Sequence, residues 1–508
     1  MTLYPPMSSQ TGLQEIINKR FADHRLVIVS NRQPYAHHLR EGRIVTKRAV
    51  SGLVTGLEPV AKVCHALWVA HGDGSADRSM SNDRGIVEVP SERPEYLLKR
   101  VWLSKEEVAG YYYGFSNEAL WPLCHISFVR PIFRAEDMDT YRLVNRKFAD
   151  AVLEEIRNDK AFIWIQDYHF SLLPQYLKEA RPDLVVGQFW HIPWPNPEAF
   201  RICSWREEIL DGLLANDLLG FQLRYHADNF LATCAREIDS HTDQDRTSVT
   251  RKGHRTRVRP FPIGVDFDGM SADVQQPAVA AIAHKLVNEL GLEGMTVIAG
   301  VDRIDYTKGI PERLLAISRL LEKYPDYKGR FVFVQVGSPS RIHITKYKEM
   351  NDEIGHLVEQ INWKHSVNGW EPIVFVGRAF DYHEVLALYK LADVLIVSSL
   401  HDGMNLVAKE YVAARGDLGG VLLLSQFTGA ARELHDAVLI NPFDRESFAN
   451  AIHRALSMRP AEKAARLNTM REYLAETNIF NWASSFVTEL TKLQGGAASE
   501  AFQAQVSV

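Results

Sequence analysis

Short runs of β-branched and aliphatic residues alternate with longer stretches of helical periodicity along most of the chain. In the first half, "LVIVS" (26–30), "AFIWI" (161–165) and "LVVGQFW" (184–190) predict strands. In the second half, "MTVIAGV" (295–301), "RFVFVQVG" (330–337), "PIVFVG" (372–377), "DVLIVSS" (393–399) and "GVLLLS" (420–425) repeat the pattern. The runs are continuously apolar rather than alternating, which marks strands covered on both faces by helices, the signature of a parallel sheet. "RPFPIGVDFDGM" (259–270), with two prolines and a glycine, interrupts the pattern and separates the two sets. The expected fold class is therefore α/β, with two doubly wound domains in tandem and ligands bound in a cleft between them, at the carboxyl ends of their strands. "RESFANAIHRALSM", "PAEKAARLNTMREYLAETN" and "NWASSFVTELTKLQ" (481–494) predict amphipathic helices, and "GGAASEAFQAQVSV" a frayed tail. The expected limits are 1–262, 263–480 and 481–508, with a hinge near 259–270 that closes the domains over a ligand.

Composition narrows the classes. A chain of 508 residues exceeds what one hydrophobic core serves, and 46% hydrophobic with 24% charged residues is an ordinary globular balance. A net charge of −5 offers no basic field for nucleic acid or anionic lipid, so any phosphate recognition must be local. Cys64, Cys124, Cys203 and Cys234 are scattered without metal-ligand spacing and read as reduced structural thiols. No cluster of carboxylates implies a metal, and no cofactor is expected. The N-terminal stretch lacks a signal-type apolar core, and no run approaches the roughly 20 apolar residues that cross a bilayer, so a soluble cytoplasmic protein is expected.

Candidate chemistry sits at the strand exits. In "LHDGMNLVAKE" (400–410), Asp402 and Gly403 follow a strand and precede a helix expected to start near Met404. The N–H groups of Met404, Asn405 and Leu406 would then face a diphosphate, and Glu410, about two turns on, a ribose. Equally, Asp402 can simply cap that helix. "VDRIDYTKG" (301–309) places Arg303 and Lys308 after another strand, as phosphate ligands or as solvated surface cations. "IQDYHFSLLP" (165–174) and "FWHIPWPNPEAFR" (189–201) bring Asp167, His169 and His191 to strand ends, where they can orient sugar hydroxyls, exchange protons, ligate a metal, or be structural. "IVSNRQPY" (28–35) carries Arg32, "VSGLVTGL" (50–57) a glycine loop entering a helix, and "GSPSRIHITKY" (337–347) Arg341. The aromatics of "GYYYGFSNEALWP" (110–122) read by default as core.

In this order, these stretches resemble the trehalose-6-phosphate synthase family of retaining glycosyltransferases, family 20, over roughly residues 26 to 490. "HDGMNLVAKEYVAA", "RIDYTKGIPERL", "QDYH", "HIPWP" and "SQFTGAARELHDAVLINPFD" carry the resemblance. It implies a GT-B architecture of two facing Rossmann-like domains, UDP-glucose as donor, glucose 6-phosphate as acceptor, no metal, and a homo-oligomer of tetramer type. It also implies roles for particular residues. Arg303 and Lys308 hold the donor diphosphate, with Gly52 approaching it. Asp402, Gly403, Met404 and Asn405 contact the donor glucose, the amides of Leu406 and Val407 meet the phosphates, and Glu410 binds the ribose. His191 contacts the donor sugar near the reacting carbon and Asp167 the acceptor hydroxyls. Arg32, Tyr112, Trp121 and Arg341 form the sugar-phosphate pocket of the acceptor.

Three positions depart from the family pattern: Gln166 where "HDYH" begins with histidine, His401 where "LRDG" has arginine, and Ser51 before the retained Gly52. The chemistry expected is transfer of glucose on the face from which the nucleotide leaves, without a protein nucleophile. Arg303, Lys308 and the helix-start amides would stabilise the leaving group, and the acceptor phosphate would supply orienting energy. The alternatives are a glucosylglycerol-phosphate synthase using glycerol 3-phosphate, favoured by Gln166 and His401 and opposed by Arg341, and a non-catalytic sugar-phosphate sensor.

Overall fold

The structure is a computed structural model and describes residues 12, 13, 15, 17, 24–48 and 52–495. The chain divides into two compact units, Met1–Ile263 joined by Ile479–Val508, and Gly264–Asn478. The tail expected beyond 495 and Ser51 lie outside the described residues.

The first unit is built on one sheet of ten strands. Their order is His241–Thr242, Ser248–Arg251, His254–Pro260, Leu218–Phe221, Val185–Trp190, Ala161–Gln166, Arg25–Arg32, Leu67–His71, Tyr96–Val101, Ile86–Val89. The seven from His254–Pro260 to Tyr96–Val101 run parallel, and the remaining three are antiparallel edges. Chain order reverses between Arg25–Arg32 and Ala161–Gln166, the first and fourth parallel strands, and ligands of doubly wound sheets bind at such a point. Arg32 ends one of these strands, and Asp167 follows the other.

Four of the parallel strands are not predicted by the apolar pattern, for reasons the structure makes plain. "YLLKRV" (96–101) carries Lys99 and Arg100 into the interior, where they pair with Glu155 at 3.0 Å and Asp77 at 3.1 Å. "HRTRVRP" (254–260) is interrupted by arginines, Leu218–Phe221 ("LLGF") by a glycine, and Leu67–His71 ("LWVAH") closes on alanine and histidine.

The stretch expected to be aromatic core takes an unusual form. Val108–Leu120 is a π-helix, which continues as a short α-helix over Trp121–His125. Its wider i→i+5 turn buries Tyr111, Phe115, Ala119 and Leu120 against the helix Ala135–Ile156 and leaves Tyr112 and Tyr113 half-exposed.

The helix Ile479–Thr491 belongs to the first unit. Phe486 stacks on Trp164 at 4.7 Å, and Trp482 meets Trp164 and Phe189, each at 5.2 Å. Gly187 makes the close approach possible, since a Cβ there would lie 2.8 Å from Leu490.

The second unit is a six-stranded, wholly parallel sheet in the order Ile373–Val376, Phe331–Ser338, Thr296–Arg303, Val394–Val397, Val421–Ser425, Val438–Ile440. Numbered along the chain this is 3-2-1-4-5-6, the dinucleotide-fold order, with its reversal between Thr296–Arg303 and Val394–Val397. Five of the six strands coincide with the apolar runs; the sixth, Val438–Ile440, is too short to register.

Candidate active site

In the second unit, the two motifs at the reversal point converge. Arg303 is the last residue of its strand, and Lys308 closes the short 3₁₀ turn Tyr306–Lys308 that leads into the helix Ile310–Lys323. Leu400 N–H donates to the Thr307 carbonyl at 2.7 Å, tying this turn to the exit of Val394–Val397. Lys308 Nζ thereby reaches Asp402 Oδ2 at 2.6 Å, and the same oxygen accepts from Asn405 Nδ2 at 3.1 Å and Ser399 Oγ at 3.2 Å.

The helix expected to begin near Met404 begins at Leu406 and runs to Ala414. Its cap is Asn405, not Asp402: the Asn405 Oδ1 accepts from Ala408 N–H at 3.0 Å. Asn405 holds a positive φ of 93°, which asparagine tolerates better than most residues. Asp402 is left to pair with the cation. Met404 is buried upstream of the helix, and its carbonyl accepts from Ala430 N–H at 2.9 Å. The first-turn amides are therefore those of Leu406 and Val407, which have no acceptor within the helix. Gly403 is buried beside them.

Glu410 lies within this helix, half-buried, and accepts from the Tyr389 hydroxyl at 3.0 Å. Burial raises its carboxyl above the ordinary range, and the tyrosine's hydrogen bond opposes that shift.

Beneath the site runs a buried polar layer that motif reading passes over. Arg313 pairs with Asp302 at 2.9 Å and donates to Gln335 at 2.8 Å and Ser398 at 2.9 Å. Asp305 divides its carboxylate. Oδ1 accepts from the N–H and hydroxyl of Thr307, each at 3.0 Å, and Oδ2 from Arg341 at 3.1 Å and the Tyr347 hydroxyl at 3.2 Å. Burial works to raise Asp305, yet the charges of Arg341 and Arg303 outweigh it and hold the carboxyl below its usual range. Arg341 itself is buried, in a left-handed backbone conformation (φ 48°), with its guanidinium also bonded to Tyr347. The signal for this layer was present in "RIDYTKG", where Asp305 stands between the two cations.

In the first unit, Asp167 leaves its strand with φ 72°. Its N–H donates to Phe189 O at 2.7 Å, and its Oδ1 accepts from His191 N–H at 3.2 Å, so the exits of adjacent strands are bound together. The His191 ring lies 4.5 Å from Phe189 and 6.3 Å from Trp482. Burial lowers its imidazole to about 3, which keeps it neutral near pH 7. Tyr112 stacks on His169 at 5.7 Å and 12°, and Trp121 packs on His125 at 4.0 Å and Tyr168 at 5.9 Å. Asn117 locks this corner, accepting from Tyr168 at 2.9 Å and donating to the Tyr112 carbonyl at 2.6 Å. Arg32 is exposed at its strand end, near Tyr113, whose phenol burial raises and Arg32 lowers. Gly52 opens the helix Gly52–Val63.

Such an arrangement offers cations and helix-start amides for a diphosphate in one unit. In the other it offers aromatic faces, a carboxylate and an arginine for a polar, sugar-like molecule. Among the described residues no group of three or more His, Cys, Asp or Glu could hold a metal ion, and no helix is long and apolar enough to cross a membrane.

Comparison with known proteins gives one answer. The model of glycosyltransferase family 20 matches residues 24–492. A trehalose-6-phosphate synthase of Mycobacterium sp. (strain KMS) is 40% identical over 483 residues, 94% of this chain and 96% of that one. An E. coli structure bound with UDP-2-fluoro glucose is similar with a TM-score of 0.82 and 32% identity, covering 92% of this chain and 99% of its own. A UDP-forming α,α-trehalose-phosphate synthase from Burkholderia xenovorans, in complex with glucose-6-phosphate, is similar with a TM-score of 0.82 and 30% identity over the same shares.

Proposed function

The chain belongs to glycosyltransferase family 20, and from that premise we propose that it moves glucose from UDP-glucose to glucose 6-phosphate, forming α,α-trehalose 6-phosphate and UDP. It is a hexosyltransferase of GT-B fold class, with two Rossmann-like units. The observation that carries the reading is the meeting of Lys308 and Asp402 at 2.6 Å at the strand reversal of the second unit, beside Arg303 and the amides of Leu406 and Val407. A nucleotide leaving group is anchored there by cations and amides, and a sugar by a carboxylate.

In this mechanism the bond between the anomeric carbon and the diphosphate oxygen breaks, and the acceptor oxygen bonds to the same face. The acceptor's proton passes to the departing phosphate oxygen. Arg303, Lys308 and the amides of Leu406 and Val407 stabilise the charge that develops on UDP, with Gly52 also facing the diphosphate. Asp402, Gly403, Met404 and Asn405 hold the glucose, and Glu410 takes the ribose hydroxyls. Asp167 receives the acceptor hydroxyls, while Arg32, Tyr112, Trp121 and Arg341 bind the sugar phosphate, whose binding energy is spent on orientation. His191 contacts the donor sugar near the reacting carbon. UDP-glucose is a substrate, the positive charge at the leaving group comes from side chains, and the proposal includes no metal. It extends to a cytoplasmic homo-oligomer, which sedimentation of the purified protein tests.

The deciding experiment is a matrix of nucleotide-glucose donors against sugar-phosphate acceptors, with product analysis. UDP-glucose with glucose 6-phosphate is expected to give the highest kcat/KM, and preference for glycerol 3-phosphate overturns the reading. Arg303→Ala is expected to lower kcat by about 100-fold to 1,000-fold with donor saturating; near-normal turnover refutes the leaving-group clamp.

A further inference from the structure

Gln166 stands where the family pattern has histidine, and it has no part in the proposed transfer. It is fully buried at the end of Ala161–Gln166, and its Oε1 lies 2.9 Å from His191 Nε2. On the other side of the ring, Gln222 Nε2 lies 3.5 Å from His191 Nδ1.

Which ring nitrogen carries the proton follows from a fixed point outside the ring. The main-chain N–H of Ile263 can only donate, and it donates to Gln222 Oε1 at 3.0 Å. That fixes the Gln222 amide with its NH₂ toward His191, so Nδ1 must accept and carries no hydrogen. The neutral ring then holds its proton on Nε2, and Gln166 must present its carbonyl oxygen, as it does. The Asp167 carboxylate fixes the same residue through its main chain, accepting from His191 N–H at 3.2 Å. Consecutive residues of one strand end thus hold His191 twice, by ring and by backbone.

We propose that Gln166 is a positioning residue which, with Gln222, locks His191 as the Nε2–H tautomer and occupies both ring nitrogens, so that His191 meets the donor sugar as a fixed surface and moves no proton. This rests on the glucosyl-transfer reading for its consequence, but not for the lock itself. An amide suits the task because it cannot titrate. A histidine at the same position can accept from Nε2–H only through an unprotonated ring nitrogen.

The test is long-range ¹H–¹⁵N correlation on the full chain labelled at histidine, with the His191 signal identified by its loss in His191→Gln. The wild-type protein near pH 7 is expected to show the Nε2–H pattern; an Nδ1–H pattern or an imidazolium overturns the lock. Because the remaining Gln222 contact is long, at 3.5 Å, Gln166→Leu is expected to populate the second tautomer in part and to lower kcat about tenfold, with KM for donor and acceptor changed less than about twofold. Gln166→His is expected to restore both the tautomer and most of the turnover. If Gln166→Leu keeps the wild-type tautomer and kcat, the positioning role is refuted. Should Gln166→Leu fail to fold, the wild-type spectrum and that of Gln222→Leu, expected to lose the single-tautomer pattern, still decide. A wild-type protein with the Nε2–H pattern that transfers no glucose supports the lock and overturns the function proposed above.

Discussion

Lys308 and Asp402 hold one another at 2.6 Å, each side chain only slightly exposed. A diphosphate arriving at Lys308 has to compete with that carboxylate. Asp402→Asn keeps a hydrogen-bond acceptor and removes the competing charge. It is expected to tighten UDP binding several-fold by calorimetry while lowering glucosyl transfer at least tenfold, because the contact to the sugar loses its charge and weakens. Weaker UDP binding in that variant would contradict this account of the pair.

His191 sets a second expectation. Its imidazole is lowered from 6.5 to about 3 in the folded chain by burial, so between these values the unfolded chain binds the proton that the folded one refuses. Stability therefore falls as pH drops from 6.5 toward 3, with a slope of at most about 1.4 kcal/mol per pH unit from this residue. Denaturant melts at stepped pH are expected to show this slope flattened in His191→Gln.

The residues at strand exits were legible because charge directly after an apolar run is a local signal. Gln222 was not, since its meaning comes from a ring 31 positions earlier and an amide 41 positions later. Asn405 was missed because aspartate and asparagine cap helices equally well, and only the backbone angle at 405 separates them.

At the scale of elements, the π-helical run Val108–Leu120 determines where Tyr112 and Trp121 stand. It lies close on the helix Ala135–Ile156 because position 114 has no side chain: a Cβ on Gly114 would come 2.3 Å from the Asp137 carboxylate carbon. Gly114→Ala is expected to cost about 1–3 kcal/mol of stability. It should also raise KM for the acceptor more than for UDP-glucose, which initial-rate kinetics with each substrate varied will measure. The π-helix could not be read from the sequence, whose buried positions at 111, 115 and 119 also fit an α-helical face. Strand recognition failed for a related reason. The pattern rule takes charge as a mark of the surface, and Lys99 and Arg100 are charges that found buried partners.

The molecule as a whole departs from a simple tandem. Apolar runs and proline punctuation are local signals of parallel sheets and of an interruption near 259–270, whereas the return of the chain to its first unit at Ile479 leaves no such signal. An amphipathic helix states that it will be covered but not by what. Trp482 and Phe486 find their partners, Trp164 and Phe189, some 300 residues earlier. A chain ending at Asn478 is expected to retain a cooperative melt for Gly264–Asn478 while its first unit loosens, seen as faster amide exchange over Ala161–Trp190. Unchanged exchange there would show that the last helix is dispensable.

That returning helix also sets an order on synthesis. A ribosome delivers every strand of the first sheet and then the whole of Gly264–Asn478 before Ile479–Thr491 exists. At about 5–20 residues per second, that interval is on the order of ten seconds or longer. Throughout it, the tryptophan and phenylalanine faces that Trp482 and Phe486 will cover stay open to water, so the half of the protein made first is the half finished last. Nascent chains stalled before residue 479 are expected to engage holding chaperones that release them once translation ends.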